Sequence, residues 1–131
     1  MSDNSKGKVV GYWITTAILA VLLLAAGFMD LMGQPEVTES LQRLGYPMYL
    51  AALLGTVKLL AAIAILAPNY ARLKEWAYAG VVFIMTGAIY SHIRMDEAEQ
   101  TLMPMLLLLL AFGSWYLRPP SRKLPDLIPI K

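Results

Sequence analysis

From Val9 to Met32 the chain runs through apolar and small residues with a single charged side chain, Asp30. A helix rises 1.5 Å per residue, so a run of this length crosses the roughly 30 Å hydrocarbon core of a bilayer. Backbone polar groups in lipid have no water to bond, and an α-helix satisfies them within the segment. Three more apolar runs follow, at about 48–66, 76–91 and 102–117. The last two are short for a span and need flanking residues such as Trp115 and Tyr116 as interface anchors. The pattern predicts an all-α integral membrane protein, a single domain built as a bundle of four transmembrane helices. Lys6 and Lys8 before the first run also suit a cleavable signal, but the run is long for one, and no clear small-x-small site precedes Asp30.

Composition agrees with a lipid environment. Hydrophobic residues make up 58% and charged residues 15% of the 131 positions, against roughly 45–50% and about 25% in soluble domains. The net charge of +2 and the lack of a basic stripe exclude nucleic acid as a partner. The chain has no cysteine, which excludes a dithiol centre, a thiolate nucleophile and a thiolate-held cofactor. His92 is the only histidine, so a metal site built on several imidazoles is excluded as well. No catalytic constellation stands out; any chemistry falls to carboxylates, Lys58, His92, tyrosines or a bound cofactor.

Between the first two runs, Pro35 suits a first helical turn and Gly45 a helix end. Val37, Leu41 and Leu44 share one face, which fits a short helix at the membrane surface; an irregular loop fits equally. Pro68-Asn69 stops the second span and Pro119-Pro120 the fourth. The tail, 118–131, carries four prolines and reads as extended and poorly ordered.

Lysine and arginine favour cytoplasmic loops. With the N terminus inside, eight of them (Lys6, Lys8, Arg72, Lys74, Arg118, Arg122, Lys123, Lys131) lie inside and two, Arg43 and Arg94, outside. Both termini are therefore expected in the cytoplasm. Arg72, Lys74 and Glu75 then sit in an inner loop, as a topology signal or against anionic lipid. Tyr46, Tyr49, Tyr70, Trp76 and Tyr78 read as interfacial belt residues.

Small residues let membrane helices approach closely. Thr16, Ala20, Gly27 and Asp30 share a face of the first span, and Ala51, Gly55, Lys58 and Ala62 a face of the second. Ala77, Gly80, Gly87 and Ser91 make a similar stripe on the third. Gly27, Gly55, Gly80 and Gly87 are thus the expected packing positions.

Lys58 falls near mid-membrane, where insertion costs about 2.5–3.5 kcal/mol. It needs a counter-charge, water or neutrality, either to hold the bundle together or to serve a site. Asp30 is the nearest candidate partner, about 10 Å shallower on the helical rise and within reach of a snorkelling stem. His92, with Ser91, ends the third span on the same side; it can share a proton with Asp30 or stand solvated. Together Lys58, Asp30, Ser91 and His92 make a candidate site for a ligand or a proton, an anionic ligand included.

Several segments resemble the DoxX-like family of small membrane proteins: Leu44-Gly45-Tyr46-Pro47, then Leu54-Gly55-Thr56-Val57-Lys58-Leu59-Leu60 and Leu66-Ala67-Pro68. Arg72-Leu73-Lys74-Glu75-Trp76-Ala77-Tyr78-Ala79-Gly80 follows, then Gly87-Ala88 and Ser91-His92. The resemblance runs from about Gly27 to Leu117. It implies a four-helix bundle in a bacterial inner membrane, with relatives linked to quinol- or sulfur-oxidising complexes, to redox homeostasis or to receptor assembly. Asp30 departs from the family pattern, which has a lysine there, so a site shared by the first two spans is not carried over. Three roles follow as expectations. An accessory or assembly subunit of a larger membrane complex, or a homo-oligomer, predicts no enclosed pocket. A protein binding quinone or another small molecule predicts a cavity bounded by Lys58, Asp30 and His92. A small transporter built on Lys58 favours anions.

Overall fold

Five α-helices and two turns of 3-10 helix make up residues 3–123, which the computed structural model describes, with side chains from Ser5 onward. The helices are α1 (Asp3–Met32), α2 (Pro35–Leu44), α3 (Leu50–Leu66), α4 (Ala71–Arg94) and α5 (Leu102–Tyr116). The 3-10 turns are Ala98–Thr101, which leads into α5, and Pro120–Arg122. There is no strand among the described residues. α1, α4 and the stretch Ala98–Tyr116 are long and apolar enough to cross a membrane; α3 is equally apolar but has 17 residues. The chain is a multi-pass membrane protein.

The third apolar run is only part of its helix. α4 begins at Ala71 and has 24 residues, because Arg72, Lys74 and Glu75 are good helix formers and Lys74 finds partners inside the molecule. α1 packs on α3 and α5, and α4 packs on the same two helices, so the four long helices close a ring. Leu19, Leu23, Ala62, Ile65, Val81, Met85, Leu107 and Ala111 fill its centre.

α1 and α3 touch backbone to backbone. A Cβ added to Gly27 would stand 2.9 Å from the Gly55 carbonyl oxygen, and one on Gly55 would stand 2.7 Å from the Gly27 oxygen. The expected packing role of Gly80 and Gly87 is not met: a Cβ on either would meet nothing within 4 Å, and Gly87 is exposed. α4 turns Lys74, Tyr78, Val81, Met85, Ser91 and His92 inward instead. Tyr78 and Met85 are long enough to fill the ring from a helix that stands off, so close approach is not needed there. Tyr78 is accordingly no belt residue. It is 3% exposed, and its hydroxyl lies 2.7 Å from Ser114 Oγ, which is 2.5 Å from Thr16 Oγ1.

The far end of α3 corrects two further expectations. A helix leaves its last carbonyls unpaired, and its dipole favours cations there. Lys74 Nζ donates to the oxygens of Ala64 (3.0 Å) and Asn69 (2.8 Å) and to that of Ala67. Arg122 Nη1 donates to Ile65 O (3.1 Å) and Ala67 O (3.2 Å), and its guanidinium lies 4.8 Å from the centre of the Trp13 ring. Lys74 is therefore fully buried, and neither loop-exposed nor open to lipid headgroups. The start of the tail is not loose but folded back on α3; residues 124–131 of the tail lie outside the described residues.

Candidate functional site

At the opposite end of the ring, α1 stops where Gly33 turns left-handed at φ 64. Gly33 N–H donates to Asp30 O and Gln34 N–H to Met29 O, both at 3.2 Å, closing a glycine-terminated helix end. Pro35 opens α2, and Gly45, at φ 82, closes it with N–H bonds from Gly45 to Gln42 O and from Tyr46 to Leu41 O. The apolar side of α2 places Leu41 in the interior. The short helix in the first loop thus exists, held between two glycine turns.

One side of α2 forms a wall of a cleft of about 830 Å³. The other walls come from the end of α1, from α3 and α4, and from Gln100 and the start of α5. Lys58, Asp30, Ser91 and His92 all line it. Ala26, Met29, Leu50, Leu54, Phe83 and Met103 give it an apolar body.

Lys58 Nζ donates to Asp30 Oδ2 at 2.7 Å, with 15% and 8% of the two side chains exposed. The local cause is the glycine contact. Gly27 and Gly55 each precede a member of the pair by one turn, on helices close enough for the lysine stem to reach a carboxylate higher on α1. The charge of Lys58 is therefore answered within the molecule, which corrects the expectation that it favours anions. An ammonium has three donors, and Asp30 takes one.

Ser91 and His92 form a second group at the end of α4. The Ser91 hydroxyl donates to Gly87 O at 2.8 Å and accepts from the Tyr46 hydroxyl at 2.5 Å. His92, 9% exposed, has Nδ1 at 3.0 Å from Glu97 Oε2. Arg43 Nε donates to the other oxygen of Glu97 at 2.6 Å. His92 thus pairs with Glu97 and not with Asp30, and little of it is exposed. The reason lies in the backbone after α4. Asp96, left-handed at φ 56, turns the chain so that Glu97 N–H donates to His92 O at 2.8 Å, and the carboxylate returns to the imidazole. The Arg43 hydrogen bond and then the His92 bond hold the Glu97 carboxyl below its ordinary value.

Arg43, Tyr46 and Glu97 went unnoticed as site residues in the sequence. Arg43 carried a usable signal, as one of two basic residues on the expected outer side, against the charge bias. Among the described residues no group of three or more His, Cys, Asp or Glu side chains is placed to hold a metal ion.

The DoxX-like family model matches residues 14–114, a stretch that contains both polar groups of the cleft. No curated protein and no solved structure matches the chain.

Proposed function

The chain belongs to the DoxX-like family, and we propose that it is a four-span membrane protein that binds an amphiphilic small molecule of quinone type in the cleft above Lys58 and Asp30. The observation that carries this reading is the cleft itself. About 830 Å³ lies within the range of small-molecule sites, and its apolar walls surround a partly buried ammonium with donors to spare. A carbonyl of the ligand meets Lys58, and its apolar part lies among Met29, Leu54, Phe83 and Met103.

Four crossings are supported by where the ends meet. Leu117 lies against Gly11, and Arg122 lies over Trp13, so the start of α1 and the end of α5 share one side. That requires an even number of crossings, and with α1, α4 and α5 across, α3 makes the fourth. The bias of basic residues favours that side as the cytoplasmic one, with the cleft opening outward, and the family resemblance implies a bacterial inner membrane. Some members of the DoxX-like family are linked to quinol- or sulfur-oxidising complexes, which makes a subunit of a larger complex one natural setting. The assembly role alone is second to ligand binding because it gives the cleft no occupant. The transporter reading rests on a mid-membrane lysine that favours anions, and the pairing of Lys58 with Asp30 leaves it less support than the cleft gives to ligand binding.

The test is binding of decylubiquinone to the protein purified in mild detergent, followed by titration calorimetry. Saturable binding is expected, weakened about tenfold or more by His92→Ala and by the charge-balanced pair Asp30→Asn/Lys58→Met. Those variants must elute and melt as folded proteins. Absence of saturation, or equal affinity in the folded variants, defeats the proposal.

A further inference from the structure

The imidazole of His92 has two edges with different surroundings. Nδ1 faces Glu97, which does not itself line the cleft, while His92 does. Nε2 has no partner among the described residues. An ionised carboxylate only accepts hydrogen bonds, so Nδ1 must be the donor. Arg43, bound to the second oxygen of Glu97, holds that carboxylate in its charged form. In a neutral imidazole with the proton on Nδ1, Nε2 carries a bare lone pair.

We infer that His92 offers Nε2 to the cleft as a hydrogen-bond acceptor, fixed in that role by Glu97 and Arg43, and that the molecule bound there carries a hydroxyl. This rests on the small-molecule reading of the cleft and adds a chemical selection to it. Lys58 is a donor and calls for an acceptor oxygen; His92 calls for a donor. The two lie on different walls of one cavity, so the preferred ligand has both groups, and a close analogue without the hydroxyl leaves a nearly buried acceptor unpaired. The other charged and titratable groups at this place are Glu36, Glu39 and Arg43 on α2, Tyr46 after it, Glu97 after α4, and the Asp30–Lys58 pair across the cleft. Glu97 and Arg43 act as positioning residues through His92.

Because His92 is the only histidine, protein labelled with ¹⁵N-histidine and purified without a histidine tag gives the signals of one imidazole. The nitrogen shifts distinguish the two neutral tautomers from the imidazolium. The expected spectrum of the ligand-free, detergent-solubilised protein has a protonated Nδ1 and a bare Nε2. Decylubiquinol, kept reduced, should shift the Nε2 signal and bind about five- to tenfold more tightly than decylubiquinone, which lacks the O–H. Glu97→Gln offers an amide donor to Nδ1, so it should move the ring proton to Nε2 and erase the preference. A resting ring protonated on Nε2 overturns the inference, as does an Nε2 signal indifferent to the redox form of the probe. If both probes bind equally, the inference fails and the small-molecule reading stands; if neither binds, both fail. Should Glu97→Gln not fold, the wild-type signals and the two affinities decide alone.

Discussion

Gly27 and Gly55 meet where α1 crosses α3, and neither has room for a methyl group. Gly55→Ala must push the helices apart or displace a carbonyl, and overpacking of this kind costs about 1–3 kcal/mol. Gly80→Ala adds its methyl to open space and should leave stability unchanged or slightly raised. Melting of the two variants in detergent compares them; an equal loss in both would show that close approach is not what the glycines provide. One turn beyond each glycine, the Lys58–Asp30 pair is nearly buried. Removing one partner strands a charge, so Lys58→Met alone or Asp30→Asn alone should cost about 3–5 kcal/mol, with the double variant much nearer to wild type. A double-mutant cycle that gives additive losses would contradict the pairing. This pair was legible in the sequence, since a charge inside an apolar run must find a partner and few are within a lysine's reach. The His92–Glu97–Arg43 group was not. It depends on a left-handed turn at Asp96 and on where α2 lands, and neither leaves a periodic trace.

At the scale of elements, α2 is tied to the rest by few groups: Leu41 in the interior, Tyr46 on Ser91, and Arg43 on Glu97. The last of these gives α2 an acid limit. The folded-state value of the Glu97 carboxyl lies below the ordinary 4.5. Its contribution to stability is therefore complete above that ordinary value and is lost as pH falls through the lower, folded one. The difference in Tm between wild type and Glu97→Gln should stay constant from about pH 8 to about pH 5 and shrink in stronger acid. A difference that closes between about pH 8 and 6 would assign it to another group. Pro35 and Gly45 made the bounds of α2 readable, because each is restricted to few backbone positions. The inward face of α4 was misread for a related reason. Small residues mark a packing face only where helices touch, and Tyr78 and Met85 hold α4 at a distance where Gly80 and Gly87 have nothing to meet.

For the molecule as a whole, the question is whether α3 crosses the bilayer. Its 17 residues rise about 26 Å, short of a core of about 30 Å. Its two ends are nonetheless finished differently. The first adjoins the water-facing turn and the cleft; the last is capped by Lys74 and Arg122, two cations that supply the donors lipid does not. A segment so finished, between helices long and apolar enough to cross, can thin the bilayer locally at modest cost. The absence of cysteine allows a direct test with single cysteines at exposed positions. Gln42→Cys, on α2, should react with a membrane-impermeant maleimide in intact cells. Arg72→Cys, at the start of α4, and Lys123→Cys, after α5, should react only once the membrane is opened. Labelling of 42 and 72 from one side would mean that α3 does not cross. Labelling of 72 and 123 from opposite sides would contradict the contacts that join Leu117 to Gly11 and Arg122 to Trp13. A full reversal would keep the four crossings and turn the cleft, with its ligand, towards the cytoplasm.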